Sequence, residues 1–204
     1  MRNMKYVGKA IGTLTLLLIM QACSKEDVKI PISELSGIQI SMAEKIRSTV
    51  LSSDPDKDFA TVMLIHNDAA TSIANKELES GRSSRMQKVA REVILDLKKE
   101  NEEIEQLLKG HQIGLAVPQF KEQVLLNIER TEKSANAQIG TGDIDRDFAN
   151  FMILQNEGAM ENFRLQALFG TSLPLKNFGA GIIEKRRQQN QYLKSWLLGS
   201  QNPD

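Results

Sequence analysis

Met63 and His66 stand three residues apart, the spacing that puts two side chains on one face of a helix. They offer a thioether and an imidazole, and Glu100, from a second helical stretch, would add a carboxylate. Thioether and imidazole are donors suited to soft copper, so Met63, His66 and Glu100 are the candidate metal set of this chain. The competing reading is structural, since a methionine at helical spacing also serves as core filler. Donors are scarce: from residue 23 onward the methionines are at 42, 63, 86, 152 and 160, and the histidines only at 66 and 111. No Glu-x-x-His occurs, although di-iron centres in four-helix bundles need that pair on two helices. Neither histidine has a Ser-His-Asp context, and no phosphate-cradling or dinucleotide glycine fingerprint is present. The reading is therefore non-catalytic, with no cofactor beyond that copper option.

An internal repeat says which elements position these residues. Shifted by 89 positions, residues 54–110 align on 143–199 without a gap and share 14 identities over 57 positions. Average composition would give about three or four by chance. Asp54-Pro-Asp-Lys-Asp-Phe-Ala60 overlies Asp143-Ile-Asp-Arg-Asp-Phe-Ala149, and Met63, Asn67, Gly81, Ser83, Asn101 and Gly110 also recur. Each copy has the pattern of a helical hairpin. In the first, Phe59, Val62, Met63, His66, Ala70 and Ile73 make one inward stripe, and Met86, Val89, Val93, Leu97, Asn101, Ile104 and Leu108 another. The second copy repeats the plan with Phe148, Phe151, Met152, Gln155, Ala159 and Phe163, then Phe178, Ile182, Ile183, Asn190, Leu193 and Leu197. Asp54 reads as an N-cap with Pro55 at the first helical position, Gly81 as a break, and Ser83 or Ser84 as the next cap.

An amphipathic stretch precedes each hairpin: 33–50, with Ile38, Ile40, Met42, Ile46 and Val50, and 118–137, with Phe120, Val124, Leu125 and Ile128. The expected fold is all-α: a four-helix bundle from two repeated hairpins, each preceded by an extra helix. The two units, 33–110 and 111–204, would share one bundle about a pseudo-twofold axis. His66 and Gln155 then occupy equivalent inward sites, as do Asn101 and Asn190, while Arg186 stands where the first copy has Leu97. These five are expected to form a hydrogen-bonded polar layer that fixes register.

Thr141-Gly-Asp-Ile-Asp-Arg-Asp-Phe-Ala149 resembles the entry motif of the bacterial domain of unknown function 305 family, which continues with a histidine pair, a glycine turn and a second helix ending in Trp-Leu. The resemblance spans both copies and implies a ferritin-like helical bundle in the cell envelope, with a His/Met-rich interior linked in some members to copper handling. Here the histidine pair is His66-Asn67 in one copy and Gln155-Asn156 in the other, and the inward methionine is Ile73 or Asn162. The second-helix polar positions are Leu97, Glu100 and Ile104, then Arg186, Gln189 and Leu193, while Trp196-Leu197 is kept. The resemblance thus carries the scaffold further than the metal chemistry.

The N-terminus supplies an address. Cationic residues Arg2, Lys5 and Lys9 precede an apolar run from Ile11 to Met20, which is too short to cross a bilayer as a helix and reads as a signal-peptide core over residues 1–22. Ala22-Cys23 follows, and the only cysteine of the chain is the expected lipidation site. Two acyl chains there give the double anchoring that one chain does not. Residues 23–32 would be a tether, and the protein is expected on a bacterial envelope membrane, with the outer membrane favoured and an envelope protein as partner. The full chain balances 26 basic against 26 acidic residues; losing three cations with residues 1–22 leaves 23 against 26. That acidic remainder argues against electrostatic binding of nucleic acid.

Overall fold

Short polar side chains start most of the helices. Ser33 accepts the amide of Ser36 at the head of α1 (Glu34–Ser48), and Asp54 accepts those of Asp56 and Lys57 at the head of α2 (Pro55–Ser80). Ser83 caps α3 (Ser84–Leu107), Asp143 caps α5 (Ile144–Phe169) and Ser172 caps α6 (Leu173–Leu197), each through the first-turn amides. Such a cap contributes about 1 kcal/mol. α4 (Pro118–Ala137) has no side-chain cap and starts on proline, whose missing N–H needs none. The computed structural model describes residues 33–199 except 113 and 139, and among these residues there is no strand. The expected signal segment, lipidation site Cys23 and tether all lie outside the described residues.

α2 and α5 pack on each other at the centre, and each also packs on its hairpin partner, α3 or α6, and on the helix before it, α1 or α4. α1 packs on α4, whereas α3 and α6 touch only lightly. Exchanging the first three helices for the last three leaves this pattern of neighbours unchanged. The central pair is antiparallel, because Asp56 at the start of α2 bonds Thr171 beyond the end of α5, and Asp145 at the start of α5 bonds Arg82 beyond the end of α2. α1 and α4 also run opposite ways: the amide of Val117 donates to Ser53 O at 2.8 Å, joining the end of α1 to the start of α4.

Apolar side chains gather in two clusters. One holds Met42, Ile46, Phe59, Met63, Phe120, Val124 and Phe163; the other holds Leu35, Ile73, Met86, Val93, Leu97, Phe148 and Met152. The repeat exchanges volume between partner helices to fill them. At aligned positions of the two hairpin helices the first copy has Ala74 and Ala90, both buried, and the second has Phe163 and Gly179, where a Cβ on Gly179 would lie 2.7 Å from the Phe163 ring. A close-packed core requires that compensation. Three expected details change. α1 ends at Ser48, so Val50 lies beyond it and is 94% exposed. The buried face of α1 is Leu35, Gln39, Met42 and Ile46, which leaves Ile38 and Ile40 only partly covered. In α6, Phe178, Ile182, Ile183 and Leu197 are half-buried, while Leu175, Gly179 and Arg186 join Asn190 and Leu193 on the buried side.

Candidate functional site

The polar residues of the repeat meet midway along α2 and α5. Asn67 donates from Nδ2 to Glu100 Oε1 at 3.0 Å and to Asn101 Oδ1 at 2.7 Å. In the second copy Asn156 Nδ2 donates to Gln189 Oε1 at 2.7 Å and to Asn190 Oδ1 at 2.8 Å. The two networks are the same construction built twice, each tying the first helix of a hairpin to the second. They differ at one place. Glu100 is charged where Gln189 is neutral, and Arg186, at the Leu97 position, donates to Glu100 Oε2 at 2.8 Å across the two copies. Both partners of that ion pair are buried. A buried charge left single costs several kcal/mol, so each of these substitutions makes sense only with the other.

His66 and Gln155, the other equivalent pair, stand apart from these networks. His66 is buried with no partner for either ring nitrogen, and burial together with the nearby Arg186 charge pushes its pKa down to about 3. The ring is therefore neutral at ordinary pH. It faces α4 and α5: a Cβ on Gly158 would lie 3.2 Å from both His66 Nε2 and Thr131 Oγ1. Gln155 Nε2 approaches the Met42 sulfur at 3.8 Å, and its carbonyl oxygen has no partner. Of the five polar residues expected inside, Asn101, Asn190 and Arg186 take part in the network, and His66 and Gln155 are buried beside Thr131 and Met42.

The candidate metal set is divided among these contacts. Glu100 is held by Arg186 and Asn67. The Met63 sulfur lies 3.8 Å from Asn162 Nδ2, whose own oxygen accepts from Asn127 at 2.8 Å. His66 alone keeps free nitrogens, and the guanidinium that disfavours its proton would disfavour a bound cation for the same reason. The residues present do not fit a copper ion.

The aspartates of the repeated motif do a different job. Asp56 Oδ2 accepts the amides of Thr171 at 2.9 Å and Ser172 at 3.0 Å and the Thr171 hydroxyl, and its Oδ1 accepts Gln166 Nε2 at 2.7 Å. Asp145 Oδ1 accepts the amides of Arg82 at 3.0 Å and Ser83 at 2.9 Å. Each copy thus clasps the hairpin turn of the other. Asp58 and Asp147 instead hold their own lead-in loops, through Ser52 and Ser53 in one case and Thr141 in the other. Gly81 and Gly170 are needed at the turns: a Cβ would lie 2.1 Å from Glu77 Oε1 in the first and 2.3 Å from Asp56 Oδ1 in the second.

Among the described residues one further group has metal-like spacing. Ligand atoms of Asp54, Asp56 and His111 lie within 4.8 Å of one another. Their lone pairs are already committed. Asp54 accepts Asp56 N and Lys57 N on one oxygen, and Gly114 N and His111 Nε2 on the other, while Asp56 carries the cross-clasp. This cluster is a cap and a clasp.

The sequence pointed to Asn101 and Asn190 but passed over Asn67 and Asn156, the donors that engage them, and over buried Gln39, Asn127 and Thr131. Identity of Asn67 and Asn156 across the repeat was the available signal. No family model, curated protein or solved structure matches this chain.

Proposed function

We propose that this protein is a non-catalytic lipoprotein of the bacterial envelope, anchored through Cys23, whose ferritin-like bundle is a degenerate relative of the domain of unknown function 305 family and serves a structural or partner-binding role. The observation that carries the reading is the paired polar network: Asn67 with Glu100 and Asn101, and Asn156 with Gln189 and Asn190. Asn67, Glu100, Asn156 and Gln189 stand where the resembled family would place metal-suited side chains, and here their amide and carboxyl groups bond one another and the neighbouring asparagines. The ion pair of Arg186 with Glu100 further removes the one carboxylate a cation would use. Anchoring rests on the single cysteine after an apolar run too short to span a bilayer.

A second reading, copper binding or buffering, draws on the unpartnered nitrogens of His66 near Met63. Titration calorimetry with copper(I) and zinc(II) separates the two. The structural reading expects no uptake tighter than micromolar; stoichiometric copper that is lost in His66→Leu would establish the other. For the anchor, tagged full-length protein should sediment with membranes and be released by Cys23→Ala; retention of that variant in the pellet would refute lipid anchoring.

A further inference from the structure

Glu77 and Gln166 are the same position of the repeat, one helical turn before the glycine that ends α2 or α5. Both are fully buried. The Gln166 amide donates to Asp56, which at the same time accepts the backbone amides of the α5–α6 turn. Asp145 makes the matching bonds to the α2–α3 turn, yet what stands beside it is Glu77, a second carboxyl. Ionised glutamate has no hydrogen to donate, and neither Glu77 oxygen receives a bond from a protein donor. The site calls for a donor there, and a neutral glutamic acid is one. We propose that Glu77 and Asp145 form a proton-operated latch, in which one proton held between two buried carboxyls fastens the start of α5 to the α2–α3 turn and its loss to solvent unfastens them.

The surroundings favour the neutral acid. Burial, then the hydrogen bond and charge of Asp145, then the charge of Asp143 push the Glu77 carboxyl up to about 8. From α5, Asp143 and Asp145 face it, both acidic. From the turn, Arg82 lines the neighbouring cleft with those two aspartates, and Arg85 stands on the first turn of α3. From α3, Gln87 spends its amide on Gly81 O at 2.8 Å. On the α1 side, Lys76 is paired with Glu34 at 2.8 Å. The close fit of Gly81 against Glu77 Oε1 keeps the side chain from turning away on that side. The latch is a property of the fold and does not depend on anchoring or on metal.

The second copy is a built-in control. In the open turn Glu77 is hydrated and titrates near its ordinary 4.5, whereas closed it holds its proton to about 8. Between those values the closed form carries one proton more, so the opening equilibrium rises about tenfold per pH unit and then levels off. Hydrogen-exchange protection of the Arg82 and Ser83 amides, corrected for intrinsic rates, should fall accordingly from about pH 5 to about pH 8. Protection at Thr171 and Ser172 should stay flat. Glu77→Gln should abolish the fall at the first turn, and Gln166→Glu should create one at the second. Equal pH dependence at both turns, or a fall that survives Glu77→Gln, would overturn the latch. So would calcium that protects the first turn in the parent protein and not in Glu77→Gln, since the pair would then hold a cation. Should Glu77→Gln not fold, carboxyl carbon NMR of the unaltered protein decides: an inflection well above 6 for Glu77 supports the latch and one near 4.5 refutes it.

Discussion

Arg186 and Glu100 meet at 2.8 Å inside the bundle, joining the last helix of one repeat to the last helix of the other. Neither has a charged counterpart in the opposite copy, where Leu97 and Gln189 stand. Arg186→Leu should therefore lower unfolding free energy by about 3–5 kcal/mol, since it strands a buried carboxylate. Combined with Glu100→Gln, which recreates the neutral arrangement of the second copy, most of that loss should return. Urea unfolding of the two single variants and the double variant reads the coupling; additive losses would contradict it.

The cross-clasps should matter more than ordinary caps. Asp56→Ala removes four accepted hydrogen bonds and leaves the α5–α6 turn without an acceptor. The expected cost is about 3 kcal/mol or more, against about 1 kcal/mol for Ser33→Ala at the head of α1. Thermal or urea unfolding checks the ranking, and equal losses would show that Asp56 acts only within its own helix.

Gly179→Ala pushes a methyl to within 2.7 Å of the Phe163 ring and should cost about 1–3 kcal/mol. Gly181→Ala, two residues along the same helix and with open space around its Cβ position, should be neutral or slightly stabilising. Urea midpoints that do not separate the two would remove the volume-exchange account of the repeat.

His66 sets the acid limb of stability. Its folded pKa is lowered from 6.5 to about 3, so the unfolded chain binds the extra proton between those values and stability falls as pH drops through that window. Glu77 acts with the opposite sign, its folded pKa being raised, so its contribution is lost as pH rises from about 4.5 to about 8. The two slopes cancel between about pH 4.5 and 6.5, leaving a plateau with falls on both sides. His66→Leu should fold, flatten the acid limb and leave the alkaline limb in place. A curve of unfolding free energy against pH that keeps its acid limb in this variant would assign that limb to other groups.

Much of this fold was legible because the chain states its plan twice. Asp54 with Pro55, Gly81 and Ser83 marked helix ends by local chemistry, and the structure uses each in that role. Val50 and Ile40 misled because apolar residues alone do not say where α1 stops or which stripe it buries; Thr49 already runs extended, and Val50 follows it outside the helix. The interior polar pattern was half legible. Asn101 and Asn190 stood out by recurrence, but that Asn67 and Asn156 reach them, and that Glu100 is taken by Arg186, depends on how two helices rotate against each other. Asp56 and Asp145 showed in the sequence only as part of a repeated motif at the head of each hairpin, and their reach into the opposite repeat's turn follows only from the antiparallel packing of α2 and α5.

The most direct test of the account is metal analysis of the protein purified from the cells that make it, with Met63→Leu/His66→Leu prepared in parallel. Both preparations should contain copper and zinc far below one equivalent per chain. One equivalent of copper in the native protein, absent from the double variant, would contradict a closed polar interior and restore the metal site.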